Sequence, residues 1–233
     1  MSRTVVVSRT VVVIGASSGI GLETARAFLG QGDRVHAAAR REITLEGVVP
    51  HRLDFTDRDA VDAFAAEFDH VDALIVAAGT NIPERRLHQL THEGWDAVID
   101  ANLNGPFNAL RAFLPALRAA RGTVVFIGSV SGAWTDRSGP AYQASKAALL
   151  ALTRGVGFEV EGEIRSTVIL PGVVDTEILD NRPEPPSREV RDQMLMPEDV
   201  AAACVFACSL PPRAFVPELT ILPTKLQAIG KTT

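Results

Sequence analysis

A run of three valines leads directly into a glycine-rich loop near the start of the chain. The segment TVVVIGASSGIG covers residues 10–21, and its valines favour an extended strand because β-branched side chains restrict χ1. Glycines at 15, 19 and 21 allow positive φ and let a ligand approach the backbone closely. The residues that follow have helical periodicity. This order of strand, glycine loop and helix predicts a pyrophosphate site at the N–H groups of the helix N-terminus.

The hexapeptide SRTVVV occurs twice in succession, at residues 2–7 and 8–13. Only the second copy continues into the glycine loop, so we expect that copy to form the strand that precedes the loop. Residues 1–8 are therefore predicted to form a poorly ordered tail. Residues 9–233 are predicted to form a single domain, since their number suits one large α/β unit.

Short apolar runs alternate with helical segments along the rest of the chain. Seven runs are typical of strands, and they lack the period-2 alternation that a half-exposed sheet would produce. The sequence therefore predicts an α/β fold with a doubly wound, Rossmann-type parallel sheet and helices on both faces. Ligands are expected at the carboxyl ends of the strands. The proline-rich stretch RPEPPSRE, residues 182–189, follows a strand and is expected to form a loop over that edge.

Composition and charge limit the partners of the chain. The net charge is −5 and no basic block is present, so nucleic acid is not an expected partner. No 18-residue stretch is continuously apolar, so no membrane partner is expected, and without a signal-peptide pattern the expected location is the cytoplasm. Cys204 and Cys208 are interpreted as buried thiols. His88 and His92 lack a third ligand, so no metal site is expected.

The only tyrosine of the chain, Tyr142, lies four residues before Lys146 in GPAYQASKAAL, which places both side chains on one face of a predicted helix. A free phenol has a pKa near 10, too high for acid/base work at neutral pH, and a nearby ammonium lowers it. Ser129 ends a predicted strand thirteen residues before Tyr142. Its hydroxyl could hold a substrate oxygen beside the phenol.

These segments together resemble the short-chain dehydrogenase/reductase family. Its glycine motif has the spacing G-x-x-x-G-x-G, and its Ser–Tyr–Lys set matches Ser129, Tyr142 and Lys146; Ser131 is a competitor for the serine, but its spacing to the tyrosine is wrong. The resemblance implies an oxidoreductase that acts on a small carbonyl or alcohol substrate.

The resemblance also assigns a fourth catalytic residue. An asparagine that supports a proton-relay water corresponds to Asn102 in DANLNGPF, while Asn104 is close and less favoured. In this family the helices that carry Asn102 and Tyr142 often pack against a neighbour. A homodimer or homotetramer is therefore expected.

Cofactor contacts are implied at several points along the chain. The resemblance assigns them to the glycine loop, to an acid that receives the adenine amino group, to an Ala-Gly pair, and to the segment PGVVDT that holds the nicotinamide carboxamide and phosphates. The sequence departs from the family pattern at Ile14, where a threonine is usual, and at Val76 and Ala77, where two asparagines are usual. The implied cofactor-binding residues are Gly15, Ser17, Ser18, Gly19, Ile20, Gly21, Arg40, Asp54, Ala78, Gly79, Tyr142, Lys146, Pro171, Gly172, Val174 and Thr176.

The end of the second predicted strand indicates which nicotinamide cofactor is bound. Ala39 stands where an NAD-dependent enzyme of this type usually has an acidic residue for the ribose hydroxyls. Arg40 and Arg41 follow, and a guanidinium suits a 2′-phosphate through charge-assisted contacts. Ser17 could donate to the same phosphate. The sequence therefore favours NADP(H) over NAD(H).

We expect an NADP(H)-dependent oxidoreductase that interconverts a hydroxyl and a carbonyl, with Tyr142 as the general acid/base. The alternative is a non-catalytic NADP(H)-binding sensor or scaffold of the same fold. Residues 177–195 are poor in large apolar groups and rich in proline and charge, which weakly favours a small or polar substrate.

Overall fold

Seven parallel strands form one sheet in the order β3-β2-β1-β4-β5-β6-β7. The computed structural model describes residues 8–226. The first SRTVVV copy, predicted to be a poorly ordered tail, lies outside these residues, and the second copy supplies β1 as expected. The strands are β1 (Thr10–Ile14), β2 (Arg34–Ala39), β3 (Val49–Arg52), β4 (Ala73–Val76), β5 (Thr123–Ile127), β6 (Arg165–Pro171) and β7 (Glu218–Ile221).

Helices cover both faces of the sheet. Helices α1 and α7 pack against each other on one face, while α2, α4 and α5 cover the other. This arrangement confirms the predicted doubly wound α/β fold. The helices are α1 (Gly19–Gly30), α2 (Arg58–Ala65), α3 (His92–Ile99), α4 (Gly105–Ala120), α5 (Pro140–Glu159), α6 (Arg188–Arg191) and α7 (Pro197–Ser209).

Strand β1 lies at the centre of the sheet because both of its faces are apolar. Residues 11–14 are at most 2% exposed. Val12 and Ile14 pack into the core beneath α2, α4 and α5, while Val11 and Val13 pack into the core beneath α1 and α7. A strand buried in this way needs no period-2 alternation, which explains the continuous valine run.

The segment between α3 and α4 differs from the sequence prediction of one continuous α-helix. Residues Asp100–Asn104 form a π-helix that joins the two α-helices. A π-helical turn hydrogen-bonds to the fifth residue instead of the fourth, so it adds a residue to the turn without ending the helix. Such turns are frequent at functional sites, and this one carries Asn102.

Helix α7 carries two free, buried cysteines, Cys204 and Cys208, as the sequence predicted. Burial raises the pKa of the Cys208 thiol to about 12, so the thiol stays protonated and unreactive at neutral pH. No helix within residues 8–226 is long and apolar enough to cross a membrane.

Candidate active site

The glycine loop leaves the central strand and enters α1 with no room for side chains at two positions. Gly15 has φ +92°, and a Cβ there would lie 2.5 Å from the backbone nitrogen of Ala78. A Cβ on Gly21 would lie 2.2 Å from the carbonyl oxygen of Gly15. Only glycine fits these contacts, so the loop folds tightly over the carboxyl end of β1 and α1 begins directly beneath it.

The N-terminus of α1 has no side-chain cap. Ser18 is the N-cap residue and makes no capping hydrogen bond; its hydroxyl instead accepts a hydrogen bond of 2.5 Å from the guanidinium of Arg41. The first N–H groups of a helix have no intrahelical partner and carry partial positive charge. They are therefore available to an anionic ligand at this end of the sheet.

A cavity of about 1060 Å³ extends along the carboxyl edge of the sheet, from Arg40 past the glycine loop to Arg182. This volume is at the upper end of the range for small-molecule and cofactor sites. Most of the predicted site residues line it: Gly15, Ser17, Ser18, Gly19, Ile20, Gly21, Arg40, Ala78, Gly79, Ser129, Tyr142, Lys146, Pro171, Gly172, Val174 and Thr176.

Two predicted site residues do not line the cavity. Asp54 is exposed at its edge, where its carboxylate accepts hydrogen bonds from the backbone and hydroxyl of Thr56, and these bonds lower the pKa of Asp54. Asn102 is fully buried behind the cavity. Its Oδ1 accepts from the Thr80 backbone N–H at 2.8 Å, and its Nδ2 donates to Ser145 Oγ at 3.1 Å.

The Asn102 side chain therefore joins the loop after β4 to helix α5. A Cβ placed on Gly79 would lie 3.0 Å from Asn102 Oδ1 and 3.5 Å from Lys146 Nζ. The π-helix therefore contacts the loop after β4 close to the Lys146 ammonium. The side-chain amide of Asn102 is taken up by these protein contacts and holds the loop after β4 against α5.

Tyr142 and Lys146 lie on the same face of α5, as the spacing predicts. Lys146 Nζ lies 5.7 Å from the centroid of the Tyr142 ring and donates a hydrogen bond of 2.8 Å to the carbonyl oxygen of Ile127. The lysine is only 5% exposed, and this burial lowers its pKa to about 8. The ammonium is thus held beside the phenol in a desolvated environment.

The phenol of Tyr142 experiences opposing influences. The pKa of Tyr142 is raised overall, because burial raises it most and the charge of Asp136 adds to this effect, while hydrogen bonding to Ser129 and the positive charge of Arg182 act in the opposite direction. Ser129 and Ser131 both line the cavity. Ser131 lies behind Ser129, with 3.1 Å between their hydroxyl oxygens, and its own hydroxyl donates to Asp136.

Comparison with known proteins agrees with this geometry. The family model described as short chain dehydrogenase matches residues 9–186, more than half of the chain. The chain belongs to the short-chain dehydrogenase family. Its members bind nicotinamide cofactors, and this chain is therefore an oxidoreductase of that family.

Three relatives illustrate the similarity. An uncharacterized oxidoreductase of Staphylococcus haemolyticus is 33% identical over 92% of this chain and 97% of its own length. The 3-oxoacyl-(acyl-carrier-protein) reductase MabA of Mycobacterium tuberculosis is 37% identical over 74% of this chain and 72% of its own. A closed serine dehydrogenase complexed with NADP+ has a TM-score of 0.85 and 27% identity, covering 96% of this chain and 98% of that one.

The structure of this short-chain dehydrogenase adds site residues that the sequence analysis did not assign. Arg41, mentioned only as the neighbour of Arg40, reaches Ser18 and pairs with Glu177 at 3.0 Å. Asp136, Arg85 and Arg182 line the other end of the cavity. The sequence showed only that these residues are charged and lie between predicted elements. Their place in the cavity depends on how distant loops fold over one another.

Proposed function

We propose that the protein is an NADP(H)-dependent oxidoreductase that interconverts a hydroxyl and a carbonyl group on a small substrate. The observation that carries the proposal is the placement of the Tyr142 phenol. The Lys146 ammonium lies 5.7 Å from the centre of its ring, and Ser129 lines the same cavity, which begins at the glycine loop. A non-catalytic cofactor sensor would need the cavity but not this acid/base arrangement.

The residues present fit a dinucleotide. The close contacts at Gly15 and Gly21 leave the loop backbone bare, and the uncapped start of α1 offers free N–H groups for phosphates. The segment Pro171–Thr176, at the end of β6, lines the same cavity and would hold the nicotinamide portion. When bound, the nicotinamide ring supplies the hydride donor or acceptor of the reaction.

The protein supplies the proton and the orientation. In the reducing direction, Tyr142 donates its phenolic proton to the substrate oxygen, and in the oxidising direction it accepts the hydroxyl proton. Ser129 holds that oxygen next to the phenol. Lys146 carries its charge below a pH of about 8, and this charge stabilises the phenolate left after proton donation.

Cofactor preference is proposed from the end of β2. Ala39 leaves no carboxylate there to compete for a ribose hydroxyl, and Arg40 is exposed at the edge of the cavity. Arg41 brings a second guanidinium to the glycine loop through Ser18. Arg41 is paired with Glu177, so Arg40 is the cation available at the end of β2. A free guanidinium and no acid on the strand end favour the extra phosphate of NADP(H).

Assembly and location are also part of the proposal. Helix α4 presents Phe107, 48% exposed, and α5 presents Phe158, 86% exposed. Large apolar side chains on these two helices suit a homodimer or homotetramer formed through that face. The buried, unpaired thiols of α7 suit the reducing environment of the cytoplasm.

The absorbance of NADPH, followed with a panel of small aldehydes, ketones and oxo acids, tests the activity. We expect turnover of at least one class. Tyr142→Phe should lower that turnover by about 10²–10⁴-fold, the usual contribution of a general acid/base, while NADPH binding is retained because the ring still packs. A variant that keeps more than a tenth of the wild-type rate would refute the role of Tyr142. NADPH binding without turnover of any class would favour the sensor.

A further inference from the structure

Two arginines at the substrate end of the cavity have no anionic partner. Arg85 lies in the loop after β4, and Arg182 follows the short 3-10 helix after β6; both line the cavity and are partly buried. Neither makes a salt bridge with any residue in the described range 8–226, and Arg85 Nε is buried with no hydrogen-bond partner there. A desolvated guanidinium without a partner is costly to the folded protein.

Other arginines near the cavity are satisfied in one of two ways. Arg41 pairs with Glu177, and Arg191 pairs with both Asp175 and Asp180. Arg40, Arg86 and Arg137 line the cavity but are exposed to water. Arg85 and Arg182 therefore differ from these arginines in combining burial with the absence of a partner.

Asp136 attracts the two arginines, since its charge raises the pKa of each, but it forms no ion pair with either. Asp136 Oδ1 accepts hydrogen bonds from the backbone N–H of Ser138 at 2.8 Å and from its hydroxyl at 2.5 Å. Asp136 Oδ2 accepts from the Ser131 hydroxyl. Its oxygens are more than 4.0 Å from both guanidinium groups, since no ion pair forms. Glu184 also lines the cavity, but it is exposed and forms no ion pair with either arginine within residues 8–226. The two partly buried cations are therefore left without a paired carboxylate.

Arg85, Arg182 and Tyr142 line the same cavity, and Arg85 packs against the start of α5, where a Cβ on Gly139 would lie 2.9 Å from Arg85 Cβ. Burial and the charge of Arg182 lower the pKa of Arg85, whereas the charge of Asp136 raises it. The charge of Arg182 also lowers the pKa of Tyr142. An anion held by these arginines would therefore lie close to the carbon that exchanges hydride.

The position of Arg182 is fixed by its surroundings. The backbone N–H of Arg182 donates to the carbonyl oxygen of Leu179 at 3.1 Å. Arg191 holds the same loop by bonding Asp175, at its start, at 2.8 Å, and Asp180, near its middle. The backbone that carries Arg182 is thus held at the cavity, which limits where its guanidinium can reach.

We propose that the substrate is a short hydroxy- or oxo-carboxylate whose carboxylate binds Arg182 and Arg85. This inference rests on the proposed function and names the substrate class of the same site. A guanidinium fork matches the two oxygens of a carboxylate. A neutral analogue of the same shape would leave both desolvated cations unpaired, which penalises its binding.

Matched pairs of substrates test the proposal. The rates of NADPH oxidation are compared for acetoacetate and acetoacetamide, and for pyruvate and pyruvamide. We expect the acid of the accepted chain length to have a kcat/KM at least tenfold above that of its amide. Arg182→Gln should lower kcat/KM for the acid about ten- to hundredfold more than for the amide, the range of one charge-assisted contact, because any effect of the lost charge on Tyr142 is common to both substrates. Arg182→Lys should fall between wild type and Arg182→Gln, and Arg85→Gln should also lower kcat/KM for the acid more than for the amide.

Arg188→Gln is the matched control, because it removes the same charge from an exposed site in the same segment outside the cavity. It should leave both substrates unaffected. Equal kcat/KM for acid and amide, or equal losses for both in Arg182→Gln, would overturn the proposal while leaving the oxidoreductase function intact.

A binding measurement distinguishes the proposed carboxylate site from the proposed oxidoreductase activity. Acetoacetate and pyruvate are each titrated calorimetrically into the protein with NADP+ bound, and at least one should bind more weakly to Arg182→Gln than to wild type. If no carbonyl compound is reduced but this difference remains, the carboxylate site stands and the proposed reaction fails. If wild type and Arg182→Gln bind both acids equally, or neither binds either acid, the carboxylate site is refuted.

Discussion

Arg40 and Arg41 are neighbours in the sequence but have different surroundings. Arg41 bonds Ser18 in the glycine loop and Glu177 in the loop after β6, so it connects two walls of the cavity. Arg40 forms no salt bridge within the described part of the chain and is exposed. Arg40 is thus free to bind an incoming phosphate, while Arg41 holds the loops that surround it.

Replacing Ala39 with Asp and Arg40 with Leu tests this division of roles. Wild type should bind NADPH at least tenfold more tightly than NADH, because one charge-assisted contact contributes about 1.5–3 kcal/mol. The double variant should prefer NADH, since the new carboxylate repels the 2′-phosphate and its partner is gone. Titration of both cofactors into both proteins provides the measurement. Equal affinities in wild type, or an unchanged preference in the double variant, would contradict the assignment.

The sequence predicted local relations between residues well and distant ones poorly. The four-residue spacing of Tyr142 and Lys146 fixes a shared helix face, and the structure has both side chains there. The unpaired charge of Arg182 could not be predicted, because it depends on how the loop after β6 lies against Asp136, whose oxygens are occupied by two serines of its own loop. Spacing along one helix is a local property, whereas the absence of a partner is a property of the whole fold.

The edge of the sheet formed by β2 and β3 carries a pair of histidines. His36 Nδ1 lies 3.0 Å from His51 Nε2, and the two rings are stacked. His36 also contacts the Phe68 ring at a centroid distance of 4.8 Å. Burial, and then the charge of His51, lower the pKa of His36 from 6.5 to about 4. This edge is therefore built around a neutral imidazole.

This edge should make the fold sensitive to mild acid. Between pH 6.5 and about 4 the unfolded chain binds a proton at His36 that the folded chain does not, so stability falls as pH falls. From pH 7 to pH 5, wild type should lose about 2 kcal/mol more unfolding free energy than His36→Gln. Urea titrations at both pH values measure the difference. His92→Gln, at the exposed start of α3, is the control; a wild-type loss equal to that of His36→Gln would refute the prediction.

The strands could be predicted from the sequence more completely than the helices. All seven strands coincide with predicted runs. The five inner strands are largely apolar because both of their faces are covered, whereas the edge strands β3 and β7 are mostly exposed or half-buried. The π-helix at Asp100–Asn104 was not predicted. Its residues continue the helical pattern on either side, and a change of hydrogen-bond partner by one residue leaves no periodic signal in so short a stretch.

At the scale of the whole molecule, the two faces of the sheet carry different exposed surfaces. Helices α4 and α5 present Phe107 and Phe158, and α7 on the opposite face presents Phe206, 49% exposed. The proposed assembly uses the first of these faces. The alternation of strands and helices in the sequence predicted the overall topology. It did not predict which of the two helical faces contacts a second copy of the chain.

Phe107→Asp tests the assembly. A carboxylate placed in an apolar interface is desolvated without a partner, so this variant should sediment as a monomer at a concentration where wild type is a dimer or tetramer. Phe206→Asp makes the same change on the opposite face and should leave the assembly unchanged. Dissociation by Phe206→Asp alone would place the interface on α7, and retention in both variants would exclude both phenylalanines from it.

Because the chain contains one tyrosine, Tyr142, the proposed acid/base group can be observed by spectroscopy in the unmodified protein. Ionisation of a phenol changes its ultraviolet absorption, and here that change reports a single group at the centre of the cavity. A spectrophotometric pH titration therefore measures the ionisation of Tyr142 directly, without a label or a substrate. Since the charge of Arg182 lowers the pKa of this phenol, the midpoint should move upward in Arg182→Gln. The ultraviolet absorption of Tyr142 thus reports the electrostatic field in the cavity.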